Sequence, residues 1–168
     1  MARLLDRGGP AIRKAARAAR DRDPAFIATV ARGSSDHACS YLKYAAELTL
    51  GLPVASIGPS VASIYGAKLK LGGALCLAVS QSGKSPDIVA VLQEARRQGV
   101  LTAALTNFPA SDLAQTAEYV IDLQAGEEQA VAATKTYTAE LAAIALLSVT
   151  LNNGNRDEAL RRVPEQVD

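Results

Sequence analysis

Ala78-Val79-Ser80-Gln81-Ser82-Gly83-Lys84-Ser85-Pro86-Asp87 joins an apolar run, Gly73 to Val79, to a segment where Ile88, Val91, Leu92 and Ala95 recur at helical spacing. The run has no polar face, so it reads as a strand buried on both sides, the mark of a parallel sheet covered by helices. The helix after it opens with Ser85 as N-cap, Pro86 at the first helical position and Asp87 in the first turn. Strand followed directly by helix is one βα unit, and the rest of the chain repeats it.

Upstream, Ala25 to Ala31 is a β-rich apolar run, followed by a helix from Asp36 to Leu50 that stops at Gly51. Pro53 to Ile57 reads as a short strand and Ser60 to Tyr65 as a short helix. Downstream, the helix ends at Gln98 with Gly99 as its stop, and Val100 to Leu105 forms a fourth strand. A short helix near Ser111 to Gln115 and a fifth strand, Tyr119 to Leu123, precede a long helix from Thr134 to Leu151 that ends at Asn152-Asn153-Gly154. The expected fold is α/β, a three-layer αβα sandwich around a five-stranded parallel sheet of flavodoxin-like type. Residues 1–23 read as an N-terminal helical segment, 24–154 as the α/β domain and 155–168 as a tail or inter-domain linker.

The first segment needs separate reading. Arg3, Arg7, Arg13, Lys14, Arg17, Arg20 and Arg22 among alanines resemble an organelle-import peptide, but Asp6, Asp21 and Asp23 oppose that, since such peptides are poor in acids. A surface helix from Pro10 to Arg22, with Ile12, Ala15, Ala16 and Ala19 turned inward, accounts for the same residues.

Composition narrows the partners. A formal net charge of +1 provides no broad field for nucleic acid, and 4% aromatic content without tryptophan provides no stacking platform for bases and little to cover a flavin. The apolar runs are strand-length, so no membrane span is expected. Cys39 and Cys76 lie in apolar patterns and read as reduced core residues of a cytoplasmic protein. With one histidine and no metal-ligand spacing, neither a metal nor another cofactor is expected.

Chemistry concentrates in the loop quoted first. Ser80, Ser82 and Ser85 with Gln81 sit where a helix begins, an end that carries partial positive charge and unpaired N–H donors. That makes it a phosphate cradle in expectation. Gly83-Lys84-Ser85 resembles part of a nucleotide-triphosphate loop, but position 78 is alanine where that motif requires glycine. The competing reading is that the serines cap the helix and bridge the turn. The other strand ends separate the two. Gly33-Ser34-Ser35, Gly58-Pro59-Ser60, Thr106-Asn107 and the stretch from Gly126 to Lys135 all fall at the carboxyl edge of the sheet, where ligands of such sheets bind. The opposite edge, at Asp23-Pro24, Leu52-Pro53 and Gly72-Gly73, has turn residues and little else.

Gly33-Ser34-Ser35, Ser80-Gln81-Ser82-Gly83-Lys84-Ser85 and Val131-Ala132-Ala133-Thr134-Lys135 together resemble the signatures of SIS (sugar isomerase) domains. They look like the isomerase part of glucosamine-fructose-6-phosphate aminotransferases and of related amino-sugar-phosphate deaminases and isomerases. The similarity runs from about Pro24 to Leu151. It implies that Ser80, Gln81, Ser82 and Ser85 hold a phosphate, that Ser35 contacts the sugar beside it, that Gly33 and Ser34 belong to the same substrate-binding turn, and that the backbone at Val131 adds a substrate contact. Ala133 stands where the aminotransferases carry a serine, which puts the identity of the sugar in doubt. The resemblance further implies a tandem arrangement, in which a second SIS domain supplies most acid–base groups.

Within this chain the candidate catalytic groups are Glu128 and His37. A carboxylate of raised pKa can shuttle a proton between adjacent carbons, and an imidazole can open a sugar ring. Glu128, after Gly126 and Glu127, matches an acidic position of the family; the bland alternatives are a solvated loop acid and a first-turn helix residue. Lys84 and Lys135 are cations near the expected phosphate. The expected function is a phosphosugar-binding domain of a sugar-phosphate isomerase or deaminase, taking a ligand such as glucosamine or fructose phosphate. It would work as a homodimer or beside a second SIS domain, without nucleic acid or membrane. The alternatives are a non-catalytic sensing module and a single-domain ketose/aldose phosphate isomerase active as an oligomer.

Overall fold

The computed structural model describes residues 3–126, 128 and 134–152. A π-helical turn, Leu4–Gly8, leads into α1 (Gly9–Arg22), and then β1 (Phe26–Val30), α2 (Ser34–Leu50), β2 (Val54–Ile57) and α3 (Pro59–Ser63). The chain continues through β3 (Ala74–Val79), α4 (Pro86–Arg97), β4 (Leu101–Thr106), α5 (Asp112–Thr116), β5 (Tyr119–Asp122) and α6 (Thr134–Leu151). The strands form one parallel sheet in the order β2-β1-β3-β4-β5. This is the expected fold.

Alternation along the strands divides the core in two. Ile27, Leu75, Leu77, Leu105 and Ile121 face α1, α2 and α6, while Ala28, Val30, Cys76, Ala78 and Ala104 face α4 and α5. All residues of β3 and β4 are buried, which explains why β3 is apolar throughout and why the two polar residues of β4, Thr102 and Thr106, lie inside the core. The first layer is built from small residues. Ile12, Ala15, Ala16 and Ala19 of α1 are buried, as their spacing predicts, and Ala139 and Ala143 let α6 lie close between α1 and α2. The N-terminal helix therefore shares the core of the sheet. The expected tail, 155–168, lies outside the described residues.

Several element ends differ from expectation by one or two residues, for local reasons. Helix α2 starts at Ser34 rather than Asp36 because Gly33, at φ +59°, turns the chain and its carbonyl accepts from Asp36 N–H at 3.1 Å. Strand β4 starts at Leu101 because Val100 is taken up closing α4, its N–H donating to Ala95 O at 3.0 Å.

The strand order fixes where a ligand can enter. Helix α2 leaves β1 for one face of the sheet and α4 leaves β3 for the other, although β1 and β3 are neighbours. Diverging connections at adjacent strand ends open a crevice there, the usual ligand position in sheets of this order.

Candidate functional site

That crevice is a cleft of about 260 Å³ lined by Arg32, Gly33, Ser34, Ser35, Ser80, Gln81, Ser82 and Ser85, with Val79 and Ile88 beneath. A water takes up about 30 Å³ in the liquid, so there is room for a solute of several heavy atoms. The serines of two loops far apart in sequence are thereby brought to one place, at the N-termini of two helices.

The β3–α4 loop is fixed from below. Ser80 N–H donates to Leu105 O at 3.0 Å, and the Gln81 carbonyl accepts from Asn107 N–H and from the Thr106 hydroxyl, both at 3.1 Å. Leu113 N–H donates to Gly83 O at 3.1 Å. Gly83 has φ +61°, and a Cβ there would lie 2.0 Å from Ser111 Oγ, so no residue with a side chain fits between this loop and α5.

The loop hydroxyls have distinct duties. Gly83 N–H donates to Ser80 Oγ at 3.2 Å and Lys84 N–H to Ser82 Oγ at 3.3 Å. Both oxygens are used as acceptors, which leaves their O–H protons available to an anion. Ser85 occupies the N-cap of α4, but its side chain makes no capping bond. The capping alternative thus holds for the turn and not for Ser85. The first helical bond of α4 runs from Val89 N–H to Ser85 O at 3.1 Å, so the N–H groups of Asp87 and Ile88 lie before the ladder begins. Donors predominate, with the positive end of a helix dipole behind them.

Charge at the cleft comes from a pair that the sequence did not reveal. Arg32, in the β1–α2 loop, donates through Nε to the Asp87 carboxylate in the first turn of α4 and forms an ion pair with the same oxygen through Nη2. Asp87 alone would repel a phosphate; paired, it holds a guanidinium across the mouth. Lys84 is exposed and makes no contribution to the lining.

Ser35 differs from the other serines. It is buried, and its hydroxyl donates to Glu140 Oε1 of α6 at 2.8 Å. Glu140 is itself 1% exposed and its Oε2 has no hydrogen-bond partner. Burial raises the Glu140 carboxyl to about 7, opposed in part by the Ser35 bond. The Cys39 thiol nearby is pushed up to about 12 by burial first and by the charges of Asp36 and Glu140 second. An acid on the inward stripe of a helix, in register with Thr136, Ala143 and Ile144, is the signal that sequence reasoning overlooked.

The candidate acid–base groups lie elsewhere. His37 is exposed on the outer side of the first turn of α2, away from the inward stripe Ser35, Ala38, Cys39 and Leu42. Glu128 Oε2 accepts from both Thr136 N–H and the Thr136 hydroxyl at 3.2 Å, which ties it to the start of α6. Neither lines the cleft. Glu127, Val131 and Ala133 lie outside the described residues. Lys135 lines a different cleft of about 560 Å³ with Arg3, Gln124 and Thr138, and another of about 460 Å³ adjoins it near Asn107 and Gly126. Both are larger than the serine cleft, but neither gathers hydroxyls at a helix N-terminus.

Comparison with known proteins bears on the fold and on this site. The SIS domain family matches residues 22–150. Glutamine–fructose-6-phosphate aminotransferase (isomerizing) of Symbiobacterium thermophilum is 37% identical over 152 residues, which is 83% of this chain and 24% of that protein. A crystal structure from Silicibacter pomeroyi DSS-3, described as a candidate phosphosugar isomerase, is 56% identical with a TM-score of 0.93, covering 97% of this chain and 50% of that one. The C-terminal domain of glucosamine-fructose-6-phosphate aminotransferase from Francisella tularensis shares the fold, with a TM-score of 0.74 at 23% identity over 99% of this chain and 51% of that one. The chain spans about a quarter of the length of the curated relative and half of the solved ones. From the last residue of α1 almost to the end of α6, through both serine loops, the chain belongs to the SIS domain family.

Proposed function

We propose that this chain is the phosphosugar-binding SIS domain of a sugar-phosphate isomerase or deaminase, and that its ligand is the phosphate ester of an amino sugar or ketose. One observation carries the reading: the loops after β1 and β3 meet in a single cleft whose serine protons, helix N-terminus and arginine are matched to a dianion. The relatives named for fructose 6-phosphate agree with that chemistry. In this reading Ser80, Gln81, Ser82 and Ser85 hold the phosphate, while Gly33, Ser34 and Ser35 lie along the sugar, with Val131 as a further backbone contact. Binding energy at the phosphate then orients C1 and C2 for proton transfer.

The groups that transfer the proton come from a second SIS domain or a second copy, with the site completed in a dimer in the cytoplasm. Among the described residues the cleft lining contains no carboxylate or imidazole, which supports that division of labour. His37 and Glu128 stand as auxiliary acid–base candidates only if such a partner brings substrate to them. The same observation favours the second reading, a sensing module without turnover. Assaying isomerisation and ammonia release by this chain, alone and with the sequence that follows it, separates the two.

The ligand is tested by thermal unfolding with fructose 6-phosphate, glucosamine 6-phosphate and the unphosphorylated sugars. A ligand at a hundred times its Kd stabilises by about 2.7 kcal/mol, which for a chain of this length raises Tm by about 5–10 °C. Only the phosphorylated sugars should do so. Equal shifts with both sets would refute the phosphate cradle.

A further inference from the structure

A hydroxyl has one proton to donate, and the hydrogen bonds of the cleft show where each serine spends it. Ser80 and Ser82 accept from backbone N–H groups and keep their protons for a ligand. Ser35 donates its proton across the core to Glu140 Oε1 at 2.8 Å, linking the first turn of α2 to the middle of α6. To anything in the cleft, Ser35 therefore offers lone pairs only. A phosphate dianion, which needs donors, gains nothing from it. A sugar hydroxyl does.

Resting on the phosphorylated-sugar reading, the geometry points to Glu140 as the positioning residue that fixes Ser35 as an acceptor for a sugar hydroxyl. The cleft is thereby divided into a donor side for phosphate and an acceptor side for the carbohydrate. Inorganic phosphate uses the first side alone; a sugar phosphate uses both. Glu140 touches no ligand in this arrangement and acts wholly through Ser35.

The surroundings of Glu140 determine when this division holds. The buried face of α2 brings Ser35 and Cys39, with Asp36 at its margin, and β1 brings Thr29. The inward face of α1 is apolar, formed by Ile12, Ala15, Ala16 and Ala19. Cys39 stays neutral because burial first, and the charges of Asp36 and Glu140 second, push its thiol up to about 12. Burial also lifts the Glu140 carboxyl to about 7. Above that pH it is a carboxylate, which only accepts, and Ser35 must donate to it. Below it the protonated acid can donate to Ser35 Oγ instead, which frees the serine proton and removes the fixed polarity.

The experiment measures Kd for inorganic phosphate and for fructose 6-phosphate at pH 8 and pH 6, in the wild type, Ser35→Ala, Glu140→Gln and Glu140→Leu, with folding of each checked by circular dichroism. At pH 8, Ser35→Ala and Glu140→Leu should each lower the preference for sugar phosphate over inorganic phosphate by about three- to tenfold, the worth of one hydrogen bond, with phosphate binding itself unchanged. Glu140→Gln should restore most of it, because the amide oxygen accepts the same proton. Between pH 8 and pH 6 the wild-type preference should fall relative to that of Glu140→Gln; the two ligands gain their second proton at different pH, so the quantity read is the ratio of the two proteins' preferences at each pH, in which ligand titration cancels. An unchanged preference in folded Glu140→Leu, or equal losses for both ligands, overturns the inference and leaves the phosphate site standing. Failure of inorganic phosphate to bind the wild type at all overturns the phosphate reading and this inference with it.

Discussion

Replacing Gly83 by alanine tests whether the β3–α4 loop has the shape on which the cleft depends. Two costs arise. The residue has φ +61°, a conformation that costs an L-residue about 1–2 kcal/mol. The added Cβ would also lie 2.0 Å from Ser111 Oγ, 2.6 Å from Ser111 Cβ and 3.0 Å from Thr106 Oγ1, so the loop must move or α5 must. Overpacking of that kind typically costs about 1–3 kcal/mol, giving about 2–5 kcal/mol in total. Gly99 provides the control. It has φ +71° with nothing within 4 Å of the place a methyl would take, so Gly99→Ala should show the backbone cost alone. Ser111→Gly supplies the other half of a double-mutant cycle. It removes both Ser111 atoms from the clash, at the expense of the Ser111 cap on Ala114 N–H at 3.4 Å, a loss of roughly a few tenths of a kcal/mol when glycine replaces an N-cap serine. Urea unfolding of the four proteins gives the coupling between positions 83 and 111, expected to be favourable by about 1–3 kcal/mol. Fructose 6-phosphate binding should fall in Gly83→Ala and recover in part in the double mutant. If Gly83→Ala costs no more than Gly99→Ala, or if the coupling is nil, the packed-loop argument is wrong.

Ser82→Ala and Ser85→Ala should each weaken sugar-phosphate binding by about 1–3 kcal/mol, the loss of a hydrogen bond to a charged group, measured by isothermal titration calorimetry. Arg32→Ala should weaken it by more than either and make it less sensitive to salt, since it removes a cation and leaves Asp87 unpaired at the mouth. Folding raises the Glu140 pKa from 4.5 to about 7, so the folded state holds its proton over a range where the unfolded state has lost it. The associated stability is fully present below pH 4.5 and is lost as pH rises towards 7, by at most about 3 kcal/mol. Urea unfolding at pH 4.5 and pH 8 should show a smaller loss in Glu140→Gln than in the wild type.

Much of the fold was legible because strand burial leaves a plain mark. The unbroken apolar run at Ala74–Val79 and the nearly apolar one at Leu101–Thr106 exist because both faces of β3 and β4 are covered, and helices α2 and α4 are followed by the glycine stops Gly51 and Gly99. The serine loops were legible too, since hydroxyls gather at one edge of the sheet. What stayed hidden depends on contacts between distant segments. Asp87 reads as a first-turn acid, and its partner Arg32 is found only once β1 and β3 are neighbours. Glu140 looks like an ordinary helix acid until α6 is laid against α2. His37 follows the Gly33-Ser34-Ser35 turn closely in sequence, but α2 begins at Ser34 and the helical rotation carries it outward. Thr106 and Asn107 carry polar groups at the ligand edge, yet they hold neighbouring loops: Thr106 donates to Gln81 O at 3.1 Å and Asn107 donates to Gly126 O at 2.7 Å.

The most direct measurement is a crystal structure of the chain with fructose 6-phosphate bound. The phosphate oxygens should lie about 2.7–3.1 Å from donors of Ser80, Ser82 and Ser85, between the N-termini of α2 and α4. A phosphate seated instead in the larger clefts beside Arg3 and Lys135, with the serine cleft empty, would contradict the account.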